Sequence, residues 1–523
     1  MYSSGGRHKI NVLFKLIKQN VNYSKSVWGA KKDAFRDYAE KKVDLVSEAL
    51  KVITIDKPND WSKVQEFVLN HQSNHSKKYN LANIDAVIMK CAINNNHHAD
   101  SYFTYLQENK KPNLATTGLY LKSLYSEKTE DVPSERQDRI LEVCDGICKS
   151  FPVLDSISLE SIVCALSLTE KWKGTIELLK EIKLTTVPSA QAYSYVVSAA
   201  FLNNHEELAW ELFIQMLQDN RNPTSILYDS YLIMVKNLKC KNKIKEALEK
   251  LFQFMKENSL FWPYNVVKEL ISFGNNRSST STVNFSGRCS CCKNNLSKFE
   301  LTNEEFSDLK KVFLEKAIIG KDIFRKSDAT EMEHFKEFIK GMSKFDVALD
   351  GLNIAYSSGL NKGSKVYSNQ ATSVIKYFVE RNKSILLLGR FHMARWPRNT
   401  WNYINDNATV FLTKDISQDD PYLLYCTLNS GPDTILVSKD LMRGHKFLLK
   451  ERKYKMLFER WLSQRQYQLL TVNSANKPIF RIPPQYSPVA QKSGKTWHIP
   501  YATEPTQNVN EHFQKTWICL NLD

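Results

Sequence analysis

The chain has 523 residues, 42% hydrophobic and 24% charged, the balance of a folded protein with several cores rather than of a disordered one. No apolar run approaches the ~20 residues that cross a bilayer, so no transmembrane helix and no membrane partner are expected. Lysine and arginine number 72 against 56 acids, a formal net charge of +16. That excess points to a polyanionic partner, nucleic acid first and an anionic membrane surface second.

Residues 1–32 carry Arg7, Lys9, Lys15, Lys18, Lys25, Lys31 and Lys32, with no acid before Asp33. Their middle, INVLFKLI, is amphipathic as a helix. A basic, acid-free, serine-containing start has the composition of a mitochondrial targeting presequence. The competing reading is a basic tail that touches RNA. Residues 33–79 read as a helical or linker region.

From residue 80 to 271 the periodicity is helical, and a repeat shows through. Pro188 and Pro223 are 35 residues apart, as are Tyr193 and Tyr228, and Pro152 and Pro112 continue the series backwards. Each unit reads as helix, turn, helix, and a proline that stops the second helix. These units resemble pentatricopeptide repeats, which stack into an α-solenoid whose concave face binds RNA. The rival is a peptide-binding tetratricopeptide array. The spacing near 35, the basic balance and the polar residues opening the first helices favour the RNA-binding kind.

Cys91, Cys164, Cys240 and Cys426 sit singly in apolar surroundings and read as core, and so do Cys144 and Cys148 on one helical face. Around residues 272–295 helical periodicity gives way to Ser, Thr, Asn and Gly. Within this stretch Cys289 and Cys292 form a CxxC pair, with Cys291 inside it. That pair is half a site, because structural zinc takes four ligands. The C-terminal tail offers His498 in TWHIPY and Cys519 in TWICLNL, with His512 as an alternative histidine.

A capped helix opens at LTNEEFSDLKKVF, and strand-like and helical segments then alternate. The strands are FDVALD, SILLLG, ATVFLT, TILVSK and YQLLTV. The helices are NQATSVIKYFVERNK, WPRNTWNYIND, DDPYLLYCTLNS and one long run from Asp440 to Gln464. This alternation predicts a parallel sheet covered on both faces. Asp350 ends the first strand, Asp419 and Asp420 open the helix after the third, and Asp440 ends the fourth. All four acids thus fall at one edge of the sheet. N-capping would explain any one of them. Four together repel unless a cation lies among them, and hard oxygen ligands suit Mg²⁺ or Mn²⁺.

The pattern resembles the NYN branch of the PIN-like nucleases. The strings DGLNIAY, DDPYLLY and SKDLMRGHKF are closer still to the catalytic motifs of the protein-only ribonuclease P family, and DDPYLLY is nearest the animal mitochondrial type. The resemblance spans residues ~80–523. It implies an α + α/β architecture: a pentatricopeptide-like solenoid at 80–271, a zinc module split between 272–300 and 480–523, and an NYN/PIN-like metallonuclease domain at 301–479. It further implies that Asp350, Asp419, Asp420 and Asp440 are catalytic and hold Mg²⁺ or Mn²⁺, and that Cys289, Cys292, His498 and Cys519 hold structural Zn²⁺. Arg390, His392, Arg443 and His445 become candidate substrate contacts. One departure is Gly444, where the family pattern calls for an acid. The implied activity is removal of the 5′ leader from precursor tRNA in the mitochondrial matrix, with a tRNA methyltransferase and a short-chain dehydrogenase as partner subunits. The alternatives are an NYN-type endoribonuclease acting on other RNA and a non-catalytic RNA-binding factor. Retention of all four acids weighs against the latter.

Overall fold

The computed structural model describes residues 45–71, 81–93, 96–109, 112–126, 132–313, 329–359, 361–414, 420–502 and 516–523. The basic N-terminal segment, Asp419 and His512 lie outside these residues. The chain divides into two compact units, Met1–Asn203 and Asn204–Asp523.

In the first unit every described regular element is helical. Leu81–Ala92, Leu114–Ser126, Ser156–Leu166 and Ala190–Leu202 pack each on the next, while Asn96–Asn109, Ser134–Ser150 and Thr175–Lys183 each pack against the helix that precedes it or its short lead-in turn. Local chemistry sets these boundaries. The Asp155 side chain caps Ser156–Leu166 by accepting from Ser158 N at 2.8 Å, and Ser189 caps Ala190–Leu202 by accepting from Ala192 N at 3.2 Å. Tyr120 and Tyr193 are fully buried on the mutually packed helices. One expectation is corrected here: Cys144 is buried but Cys148 is exposed. The last buried residue of that helix is Ile147, so Cys148 lies just past its buried face.

The second unit opens with helices Glu206–Gln218, Ser225–Lys236 and Lys241–Glu257. Cys240, read as core, is exposed, because it stands at the N-cap of the third of these rather than on its apolar face. Two sheets follow. The strands are β1 (Ser279–Ser281), β2 (Val347–Asp350), β3 (Ile385–Arg390), β4 (Thr409–Thr413), β5 (Ile435–Val437), β6 (Gln466–Val472), β7 (Pro478–Arg481), β8 (Gln491–Ser493), β9 (Thr496–Pro500) and β10 (Trp517–Asn521).

The larger sheet has the order β4-β3-β2-β5-β6-β7. β4, β3, β2, β5 and β6 run parallel, and β7 adds an antiparallel edge. Both faces are covered. Ala348, Leu386, Leu388, Phe411 and Leu436 pack under helices Asn303–Phe313, Asp420–Ser430 and Arg452–Arg465. The alternate residues Val347, Leu349, Ile385, Leu387 and Val437 pack under Ser364–Val379 and Arg398–Asn407. The near-continuous apolar runs seen in the sequence are what burial on two faces demands. β7 was not anticipated. It returns from a turn in which Asn473 Oδ1 accepts from Ala475 N and Lys477 N, so residues 480 and 481 belong to this sheet and not to the tail beyond it.

The single long helix expected after Asp440 is two helices, Arg443–Leu448 and Arg452–Arg465. Met442 adopts a left-handed conformation (φ 51°) with its N–H donated to Asp440 Oδ1 at 2.7 Å, which delays the start, and Leu449 is extended, which breaks the run. The smaller sheet, β1-β10-β9-β8, is antiparallel and sets His498 directly opposite Cys519.

Candidate active site and metal centre

The strand order places β2, the first of the larger sheet's strands in the chain, between β3 and β5. The chain builds β3 and β4 on one side of β2 and then crosses back to build β5 and β6 on the other, and such a reversal is where open α/β sheets form a ligand crevice beyond their carboxyl ends. Asp350 stands at that point, at the C-terminal end of β2 and 7% exposed. Its Oδ1 accepts from Asn353 N at 3.0 Å, so it caps the short helix Gly351–Ala355, and its Oδ2 accepts from the Ser438 hydroxyl at 2.8 Å. Gly351 is required by packing: a Cβ there would lie 2.5 Å from the Leu388 carbonyl oxygen and 2.9 Å from Met393 Cε.

Asp440 sits three residues past β5 rather than at its end. Its N–H donates to Ser438 Oγ at 3.0 Å, so one serine hydroxyl ties the Asp350 carboxylate to the Asp440 backbone. Gln466, buried at the start of β6, donates to the carbonyls of Ser438 (2.8 Å) and Asp440 (2.6 Å), and Asn353 Oδ1 accepts from Lys439 N at 2.8 Å. Ser438, Gln466 and Asn353 were not singled out from the sequence. Ser438 and Asn353 stand inside the motifs SKD and DGLN, where they could have been weighed. Burial of Gln466 follows only from the fold.

Asp420 opens helix Asp420–Ser430, and its Oδ2 lies 3.8 Å from His445 Nε2. His445 is on Arg443–Leu448, whose first residue, Arg443, is exposed. Arg390 ends β3, and His392 follows it with Nε2 3.5 Å from the Tyr356 hydroxyl. The structure therefore links Asp350 and Asp440 through Ser438 at one edge of the sheet and sets Asp420 3.8 Å from His445. Among the described residues these carboxylates do not gather within 4.8 Å of one another; one group of Cys and His does. An all-oxygen donor set at such an edge fits a hard, partly hydrated divalent cation, which reaches some carboxylates through water.

That group is Cys289, Cys292, His498 and Cys519, whose ligand atoms all lie within 4.8 Å of one another. Cys289 and Cys292 come from a tight turn in which Lys293 has φ 65°, and His498 and Cys519 face each other across β9 and β10. Cys289, His498 and Cys519 are buried. His498 Nε2 is 3.1 Å from Cys292 Sγ. Cys291 turns away, its sulfur accepting from Ser279 Oγ at 3.4 Å. Hydrogen bonding with Cys519, aided by His498, holds the Cys289 thiol far below its usual range. The same contact with Cys289 pushes Cys519 up, and burial pushes Cys292 up. Three sulfurs so close cannot all ionise without a cation among them. Three thiolates and an imidazole at tetrahedral reach fit a structural metal ion.

Residues 283–519 match the family model described as protein-only RNase P, a span that contains Asp350, Asp420, Asp440 and all four Cys and His residues above. Over that span the chain is similar to the protein-only RNase P family. The mitochondrial ribonuclease P catalytic subunit of Mus musculus is 26% identical over 418 residues, covering 78% of this chain and 69% of that protein. Its counterpart from Rattus norvegicus has the same identity and coverage. Among solved structures, that of nuclear proteinaceous RNase P 2 from A. thaliana superposes with a TM-score of 0.51 at 16% identity, covering 85% of this chain and all of that one. A second structure of that plant protein gives 0.51 with 84% coverage. At that identity the likeness is one of fold: a mostly helical N-terminal region followed by a sheet domain.

Proposed function

We propose that this protein is the catalytic subunit of a mitochondrial ribonuclease P, an endoribonuclease that removes the 5′ leader from precursor tRNA. The observation that carries the reading is the crevice at Asp350 and Asp440, coupled through Ser438, inside a protein-only RNase P domain. The curated mouse and rat relatives, both mitochondrial ribonuclease P catalytic subunits, support the substrate and the compartment, which we place in the matrix.

Asp350, Asp419, Asp420 and Asp440 would hold Mg²⁺ at the crevice. Such an ion supplies charge neutralisation at the phosphate oxygens and makes a water nucleophilic near neutral pH. Ser438 and Asn353 fix the two loops so that the carboxylates meet the phosphate without rearranging, leaving the tRNA with a 5′-phosphate. His445 orients Asp420, and Arg390, His392 and Arg443 supply positive charge beside the scissile strand. Cys289, Cys292, His498 and Cys519 hold a structural Zn²⁺ that closes the smaller sheet on the CxxC turn. The helical pairs of the first unit act as a pentatricopeptide solenoid gripping the folded tRNA, and the sheet domain is of NYN/PIN type. The partner subunits proposed are a tRNA methyltransferase and a short-chain dehydrogenase.

The discriminating experiment compares a precursor tRNA with an unstructured RNA of equal length, with and without those two partners. Cleavage confined to the leader junction supports the reading. Equal cutting of both RNAs would favour a general endoribonuclease.

A further inference from the structure

The turn after β3 carries an aromatic that neither its packing nor the acids explain. Phe391 is 51% exposed, although Met393, two residues on, is fully buried. Met393, fully buried, fills the notch left by Gly351 and Gly389: a Cβ on Gly351 would meet its Cε at 2.9 Å, and one on Gly389 would collide with its Sδ. The Arg390 N–H also donates to Met393 Sδ at 3.3 Å. The short helix Phe391–Arg395 is thereby fastened to the ends of both β2 and β3. A ring presented to solvent on a fastened turn loses little freedom when something stacks on it.

Position and charge define what that something is. Asp350 is level with Leu388 on the adjacent strand, so Phe391 begins three residues further on, on the order of 10 Å from the carboxylate's backbone. Arg390 and His392 flank it, and Arg395 and Lys439 are exposed on the same edge of the sheet. Aromatic faces among cations are how proteins hold unpaired nucleotides, whereas paired bases offer no free face. At a leader junction the nucleotide on the 3′ side of the cut belongs to the acceptor stem, and the one on the 5′ side is free to be unpaired.

We infer that Phe391 is a stacking platform for the unpaired leader nucleotide immediately 5′ of the scissile phosphate. This rests on the ribonuclease P reading above and adds a specificity element to it. The test uses the full chain with its partner subunits, and wild type, Phe391→Ala and Phe391→Trp. Substrates are precursor tRNAs with an ordinary or an abasic nucleotide at that position. Phe391→Ala is expected to lower kcat/KM about tenfold on the ordinary precursor, the scale of one lost base–aromatic stack. Phe391→Trp should retain activity, and the abasic precursor should be cut equally by wild type and Phe391→Ala. Binding of mature tRNA, which lacks the leader, should be unchanged in all three proteins. Equal kcat/KM for wild type and Phe391→Ala on the ordinary precursor, or an equal loss on both precursors, would overturn the proposal while leaving the ribonuclease P reading intact. Failure of wild type to cut any precursor would overturn that reading and this proposal together.

Discussion

Asp350 shows how one residue answers to two demands. As the last residue of a buried strand it caps the next helix, the ordinary use of Asp before Gly, yet its second oxygen is tied to Ser438 88 residues away. The cap was legible in the motif DGLN, whereas the serine tether was not, because it depends on β5 lying beside β2. Groups that orient metal-binding carboxylates typically carry a tenfold to hundredfold share of metal affinity. Ser438→Ala is therefore expected to raise the Mg²⁺ concentration for half-maximal cleavage about tenfold, while circular dichroism and the thermal midpoint stay close to wild type. A Mg²⁺ titration of single-turnover rates checks this, and an unchanged half-saturation point would remove Ser438 from the site.

At the scale of elements, the alternation of strand and helix was readable because parallel strands buried on both faces cannot hide their apolar runs. What escaped reading was local backbone chemistry. The left-handed Met442 and extended Leu449 split one apparent helix into two, and an Asn473-closed turn supplied an extra strand. Gly351 shows how finely these junctions are packed. Gly351→Ala forces a methyl against the Leu388 carbonyl, and overpacking of this kind costs about 1–3 kcal/mol. Thermal unfolding should show a drop of several degrees. The Cys and His group joins segments 206 residues apart at Cys292 and His498, a pairing the CxxC half-site required but could not locate alone. One zinc per chain is expected by elemental analysis. Cys289→Ser should lose it and lower the thermal midpoint, as removal by a strong chelator should, whereas Cys291→Ser should keep it, since its sulfur faces away from the group.

For the whole molecule, the recurrence of proline and tyrosine near every 35 residues announced the helical pairs, and the net charge of +16 announced a polyanionic partner. Neither could say which RNA is held. Asp350 and Asp440, coupled through Ser438 at one edge of the sheet, lie within the span that matches the protein-only RNase P model, and the proposed chemistry rests on that pair. The most direct measurement follows a 5′-labelled precursor tRNA in Mg²⁺ with the partner subunits, comparing wild type with Asp350→Asn. The expected result is a single cut at the leader junction by wild type. Loss of a cation ligand that contributes several kcal/mol in the transition state should slow Asp350→Asn about a thousandfold, with precursor binding retained. Undiminished cleavage by Asp350→Asn would contradict the assignment of this crevice as the active site.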